Sequence, residues 1–114
     1  MQINVADETY VARPPSDLAP LLVDPGLLND WFPDLQAAVF MDRGELGTRW
    51  SVTGAVVGSL EVWLEPVGTG TVVHWYLRGH PPQGRRARPS RWVDVINARM
   101  FAFKDAAEGV TSGK

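Results

Sequence analysis

Three side chains of types that can exchange protons come together on one predicted hairpin. Glu61, His74 and Tyr76 lie in two runs of alternating large residues, which a turn at Gly68-Thr69-Gly70 separates. Pairing the runs places Glu61 opposite Tyr76, with His74 diagonally adjacent. A general base must face its substrate, and this pairing directs all three side chains away from the apolar face. The pattern therefore favours an outer sheet surface over an acid–base site.

The apolar side chains of the same hairpin define its inner face. Strict alternation places six of them together: Leu60, Val62, Leu64, Val73, Trp75 and Leu77. The pairing that achieves this sets Leu64 opposite Val73, and a slip by one residue would mix the two faces. The preceding strand, TRWSVTG, extends the inner face if Trp50 pairs with Val62 and Val52 pairs with Leu60.

The outer face of this hairpin predicts a partner. Trp63 lies there beside His74 and Tyr76, and large aromatic side chains exposed together are typical of interfaces. We therefore expect these three residues to form an interface, most simply with a second copy of the chain in a homodimer.

Arg99 is the most informative single residue of the C-terminal segment. At about 3.6 residues per turn, it falls near the centre of an apolar stripe, between Ile96 and Phe103. An unpaired guanidinium is costly to bury there. Arg99 could hold a carboxylate, enolate or phosphate group of a ligand. Alternatively, the helix is slightly rotated and Arg99 reaches the rim, where it pairs with an acid.

A basic run connects the hairpin to this helix: Arg78, His80, Arg85, Arg86, Arg88 and Arg91. It could draw an anionic ligand or a phospholipid headgroup to the mouth of a pocket, and the alternative is a solvated loop. No aromatic residue interleaves with residues 85–91, as a platform for single-stranded nucleic acid would need.

Composition excludes several classes of function. The chain has 114 residues, a formal net charge of −2, two His and no Cys, so we expect neither a metal site, nor a cofactor, nor attraction to nucleic acid. The first residues lack a basic region followed by an apolar run, and no apolar stretch is long enough to span a bilayer. We expect one domain over residues 1–114, soluble and cytoplasmic, without integral membrane association.

The order of the predicted elements indicates an α+β fold. Residues 2–12 alternate as a strand, and two short helices follow, the second over LLNDWF at residues 27–32. Strands over 35–42 and TRWSVTG precede the hairpin. Ser90 caps a long helix over residues 91–109, which Gly109 ends.

Several local motifs resemble the START / polyketide-cyclase / birch-pollen-allergen superfamily, also called SRPBCC. They are ARPPSDLAPLLVDPGLLNDWFPD, similar to A-x-P-P, L-x-D-P and W-x-P; the ELGTRW turn; and WLEPVGTGTVVHW, similar to L-E-P-x-x-x-G-T. The resemblance covers essentially the whole chain and is closest to actinobacterial polyketide cyclase/dehydrase-like proteins. One departure is that the segment GAVVG replaces a hairpin of the family, so we expect about five strands and a smaller or more open hollow.

This resemblance implies a helix-grip fold, in which a curved antiparallel sheet wraps around the long C-terminal helix. It also implies a cavity between sheet and helix that binds an apolar or polycyclic, lipid-like or polyketide-like molecule. The expected ligand-binding residues combine the inner face with the helix stripe: Trp31, Phe32, Phe40, Trp50, Val52, Leu60, Val62, Leu64, Val73, Trp75, Leu77, Trp92, Ile96, Arg99, Met100 and Phe103.

Two alternatives remain open from the residues. One is an enzyme of the polyketide cyclase, aromatase or dehydratase type, in which Arg99 stabilises an enolate. Such an enzyme needs an acid or base in the hollow, and the inner-face residues above include none. The other is a ligand-free dimeric interaction domain with a packed core, since aromatic stripes of this period usually pack against each other.

Overall fold

A five-stranded antiparallel sheet and a long C-terminal helix form the protein. The computed structural model describes residues 2–24, 26, 30–86 and 88–109. The elements in chain order are β1 Ile3–Val11, α1 Pro15–Leu22, β2 Leu35–Asp42, a 3-10 turn Gly44–Leu46, β3 Gly47–Gly54, β4 Val57–Val67, β5 Gly70–His80 and α2 Pro89–Glu108. The strand order in the sheet is β1-β5-β4-β3-β2. The predicted α+β helix-grip arrangement is confirmed.

The β4–β5 hairpin has the predicted register. Leu64 pairs with Val73, and the other inner-face pairs follow in step, so all six apolar side chains are buried. The turn is Gly68-Thr69, with a φ of 59° at Gly68. Glycine adopts that conformation without strain, as the first position of a two-residue hairpin turn requires.

The predicted register between β3 and β4 is wrong by two residues. Trp50 pairs with Leu60 rather than Val62, and Val52 pairs with Gly58. The chain turns earlier than expected, at Ala55-Val56, because Val56 folds into the core and is 0% exposed. Since side chains alternate with a period of two, this shift leaves every residue on its predicted face.

Two further expectations about the elements change. Phe40 is 54% exposed and not on the inner face, because Ala37 and Val39 pair with the inner-face residues Val52 and Trp50, and alternation then directs Phe40 outward. Ser90 is not the helix cap, since α2 begins at Pro89 with Arg88 as its N-cap residue. Proline suits the first helical position because its φ is already helical.

Two further predictions concern the helices. Gly109 ends α2 as predicted, with a left-handed φ of 68°. The second short helix expected over residues 27–32 lies partly outside the described residues. Within the described ranges, no helix is long and apolar enough to cross a membrane.

The C-terminal end of α2 is tied to the end of β1 by side-chain hydrogen bonds. The Glu108 carboxylate accepts a hydrogen bond of 2.7 Å from the Ala12 backbone N–H and one of 2.7 Å from Lys104 Nζ. Lys104 Nζ also donates to the Tyr10 carbonyl at 2.8 Å. Both hydrogen bonds lower the pKa of Glu108, and the one from Lys104 has the larger effect.

We predict that Glu108→Gln lowers the free energy of unfolding at neutral pH. A carboxyl group whose pKa is lower in the folded state stabilises the fold above its unfolded pKa of about 4.5, and this contribution is lost as the pH falls through the folded pKa. The difference between wild type and variant should therefore shrink on acidification, as urea unfolding at several pH values will measure. Glu45→Gln, at an exposed position, is the control. A difference that stays constant with pH would contradict the role of the charge.

Candidate functional site

Most of the residues predicted to line a ligand cavity form a closely packed core. Eleven of them are at most 2% exposed: Trp50, Val52, Leu60, Val62, Leu64, Val73, Trp75, Leu77, Ile96, Met100 and Phe103. Phe32 and Trp92 are 3% and 4% exposed. The structure therefore brings the sheet and helix residues together as predicted, but they contact each other.

Three aromatic rings fill the layer between the sheet and α2. The ring centroid of Trp31 lies 6.3 Å from that of Trp75 and 5.5 Å from that of Phe103. Trp75 and Phe103 meet at 5.8 Å in an edge-to-face arrangement, which is favourable for aromatic rings. Trp31 is the partly buried member of this aromatic cluster and covers the other two.

An open cavity of about 550 Å³ lies where the sheet and the start of α2 separate. We call it the end cavity. Ile3 of β1, Ala55 of the β3–β4 turn and Trp92 of α2 line it, together with Pro81 and Pro82 of the connector. Of the predicted ligand-binding residues, Trp92 alone is in this lining. The volume is in the usual range for small-molecule sites, about 300–1,000 Å³.

The polar wall of the end cavity is strongly basic. Arg85, Arg86, Arg88 and Arg91 line it, and among the described residues Asp34 is the one acidic residue of the lining. Arg91 donates to Asp34 at 2.6 Å. The basic connector therefore lies at the mouth between sheet and helix, in the position that the sequence predicts for drawing in an anionic ligand.

Two buried hydrogen-bond donors lie in the layer between sheet and helix. Among the described residues, neither Trp75 Nε1 nor Arg99 Nε has an acceptor within hydrogen-bond distance. Trp75 is 0% exposed, whereas Arg99 is partly buried. Leaving a buried donor without a partner costs about 1–3 kcal/mol. Within the described residues, Arg99 forms no ion pair, so the acid partner expected for it at the rim is not found there.

Asp7 is an inward-facing acid that the sequence interpretation missed. It pairs with Trp75 in the β1–β5 ladder and therefore lies on the inner face, and the Asn97 side-chain amide donates to its Oδ2 at 3.3 Å. The signal was present, since Asp7 falls in the same alternation as Ile3, Val5, Thr9 and Val11. Among the described residues, no group of three or more His, Asp or Glu could hold a metal ion.

Trp63, His74 and Tyr76 lie on the outer face, as predicted. The rings of Trp63 and His74 stack at 4.5 Å, and Tyr76 lies parallel to His74 at 6.5 Å. Trp63 is 40% exposed, but His74 is only 9% exposed, because Trp63 covers it. His74 Nε2 lies 2.9 Å from Glu65 and Nδ1 lies 3.5 Å from Glu8.

Glu61 is committed to structural contacts on the same face. Its carboxylate pairs with Arg49 at 3.1 Å and with Arg43 at 3.5 Å. None of this outer set faces α2, so the arrangement supports a surface role for these residues.

Comparison with solved structures identifies the fold. Ara h 8.0201 has a TM-score of 0.62 at 16% identity, covering 100% of both chains. The Aha1 dimer from Colwellia psychrerythraea has a TM-score of 0.66 at 16% identity, covering 93% of this chain and 96% of that one. The ZhuI aromatase/cyclase from Streptomyces sp. R1128 has a TM-score of 0.57 at 15% identity, covering 99% and 98%.

No protein-family model and no curated protein matches the sequence significantly. Similarity at these identities establishes the fold and leaves function to the site itself. The fold of these structures agrees with the one expected from the sequence motifs: the chain has a helix-grip fold.

Proposed function

We propose that the protein binds an apolar small molecule, of lipid-like or polyketide-like character, in the end cavity between the sheet and α2. The observation that carries this proposal is the cavity of about 550 Å³ lined by Ile3, Ala55 and Trp92. Apolar ligand surface placed against these side chains would contribute roughly 25 cal/mol per Å². We also propose that residues 1–114 form one domain and that the protein is cytoplasmic.

The packed interior limits how deeply such a ligand enters. Trp31, Trp75 and Phe103 pack against each other, and none of them lines the end cavity. The proposed ligand therefore lies in the end cavity itself, outside this aromatic cluster.

Filling the end cavity should abolish binding of a neutral aromatic probe. We predict that Ala55→Phe removes the fluorescence enhancement of N-phenyl-1-naphthylamine, because the new ring occupies cavity volume. Ala38→Phe adds the same bulk at an exposed position on the outer face and should leave the enhancement unchanged. Equal enhancement in wild type and both variants would place the probe elsewhere and contradict the proposal. Native mass spectrometry of the purified wild type would additionally reveal a co-purified ligand.

A second candidate function is an enzyme of the cyclase, aromatase or dehydratase type. The observation that favours it is Asp7, a partly buried carboxylate on the edge strand β1 that pairs with Trp75 on the inner face, since such an enzyme needs an acid or base that faces its substrate. Asn97 holds one of its oxygen atoms. Removal of a proton next to a carbonyl would be the step that Asp7 could perform, with the Arg99 guanidinium available for the developing enolate charge.

This candidate predicts catalysis of proton exchange on a simple ketone. Wild-type protein should accelerate deuterium uptake by the methyl group of acetophenone in D₂O, followed by NMR. Asp7→Asn should reduce the acceleration at least tenfold, since a positioned general base contributes about 10²–10⁴. Asp105→Asn, at an exposed helix position, is the control. An exchange rate equal to that of buffer would exclude this activity for Asp7.

A homodimer through the outer face is a third proposal. Trp63 is 40% exposed there and stacks on the buried ring of His74, and one structural neighbour is described as a dimer. We predict that multi-angle light scattering gives a dimer mass for wild type and a monomer mass for Trp63→Ser. Val93→Ser, on the exposed side of α2, should retain the dimer. A monomeric wild type would contradict the proposal.

A further inference from the structure

The end cavity carries a local positive charge that contrasts with the rest of the molecule. Four arginines line it, although the whole chain has a formal net charge of −2. Asp34 neutralises Arg91 through the contact at 2.6 Å. Within the described ranges, no carboxylate forms an ion pair with Arg85, Arg86 or Arg88. Three guanidinium charges therefore border the cavity without a counter-charge from the protein.

The start of α2 adds to this positive potential. Arg88 is the N-cap residue and provides no side-chain hydrogen bond to the first turn, which contains no acidic residue. The positive end of a helix normally favours acidic side chains, and this sequence places arginines there. No acidic side chain in the first turn of α2 therefore offsets the positive charge at the cavity.

Apolar surface lies directly beside the arginines. The Arg91 guanidinium carbon lies 5.5 Å from the centroid of the Trp92 ring, and Ile3 and Pro81 belong to the same lining. A ligand that fits both walls needs an anionic group attached to an apolar body. Arg85, Arg86 and Arg88 are exposed to solvent, so a neutral ligand would form no ion pair with them, and a bare anion would not contact the apolar wall.

We propose that the end cavity selects a ligand in which a phosphate group is joined to an apolar body, with Arg85, Arg86 and Arg88 holding the phosphate. This inference rests on the proposed function and specifies the class of its ligand. A phosphate monoester carries close to two negative charges above about pH 7, which matches three uncompensated guanidinium groups better than a single carboxylate does. Arginine also binds phosphate oxygens through paired N–H donors.

Phenyl phosphate tests the phosphate and apolar parts together. Isothermal titration calorimetry should detect its binding to wild type, and the double variant Arg85→Gln/Arg88→Gln should weaken binding at least tenfold. The matched control Arg13→Gln/Arg43→Gln removes two positive charges whose side chains pair with Asp17 and Glu61 and do not line the cavity. It should change affinity less than twofold. Equal weakening in both double variants would show a net-charge effect and would overturn the proposal.

Two further probes separate the sources of the phosphate. Sedimentation with vesicles of phosphatidic acid in phosphatidylcholine, compared with phosphatidylcholine alone, tests a lipid headgroup. Binding to the phosphatidic acid vesicles that the cavity double variant loses identifies a headgroup as the source. Binding of phenyl phosphate with no vesicle association identifies a soluble phosphate ester. Either result supports the inference, and failure of every phosphate probe overturns it.

The neutral probe distinguishes this failure from failure of the proposed function. If N-phenyl-1-naphthylamine binds wild type but not Ala55→Phe while no phosphate probe binds, the cavity is a ligand site and the phosphate assignment is wrong. If neither the neutral probe nor a phosphate probe binds, both proposals are wrong.

Discussion

The side-chain alternation of the β4–β5 hairpin is the constraint on which the rest of the structure depends. With Leu64 opposite Val73, six large apolar residues of the two strands face α2. β1 and β3 then add to the same face by pairing with β5 and β4. The helix buries its stripe of Trp92, Ile96, Met100 and Phe103 against this surface. A shift of one hairpin strand by one residue would turn its apolar side chains to the outer face, away from α2. Burial of the same apolar surface therefore fixes both the register of the hairpin and the position of the helix.

The small number of strands in the sheet explains where open volume remains between sheet and helix. With five strands, the concave face is narrow enough for Trp31, Trp75 and Phe103 to fill it. The hollow implied by the family resemblance is therefore a packed core in its centre, and the open volume lies at one end, where the connector and the short β3–β4 turn meet α2. The segment GAVVG, which replaces a hairpin in the resemblance, contributes Gly54 and Ala55 to that cavity.

Much of the fold followed from patterns that have a strong physical cause. Alternation placed the faces of β1, β3, β4 and β5, and the local motifs predicted the helix-grip fold. Turn positions were harder, because Ala55-Val56 has no Gly-Gly or Asn-Gly signal and its position depends on burying Val56. The face of Phe40 depends on which residues of β2 pair with Val52 and Trp50 of β3, and a local pattern does not contain that pairing.

The candidate site was less accessible to sequence reasoning than the fold. Whether aromatic side chains line a void or fill it depends on three-dimensional packing, so the filled interior could not be read from periodicity. The burial of His74 similarly depends on the ring of Trp63 stacking across the strand pair. Asp7 is different, since its alternation with Val5 and Thr9 placed it on the inner face, and a polar residue in an apolar alternation was itself a signal.

The attachments of α2 are unequal along its length. Its last turn is held by Lys104 and Glu108 to the backbone of residues 10 and 12. Its first turn is held by Trp92, which is 4% exposed, and by the exposed contact between Arg91 and Asp34. Exposed ion pairs contribute little, about 0–1 kcal/mol, so the burial of Trp92 is the stronger attachment. Trp92 also lines the end cavity, and one indole ring therefore fixes both the start of α2 and a wall of the cavity.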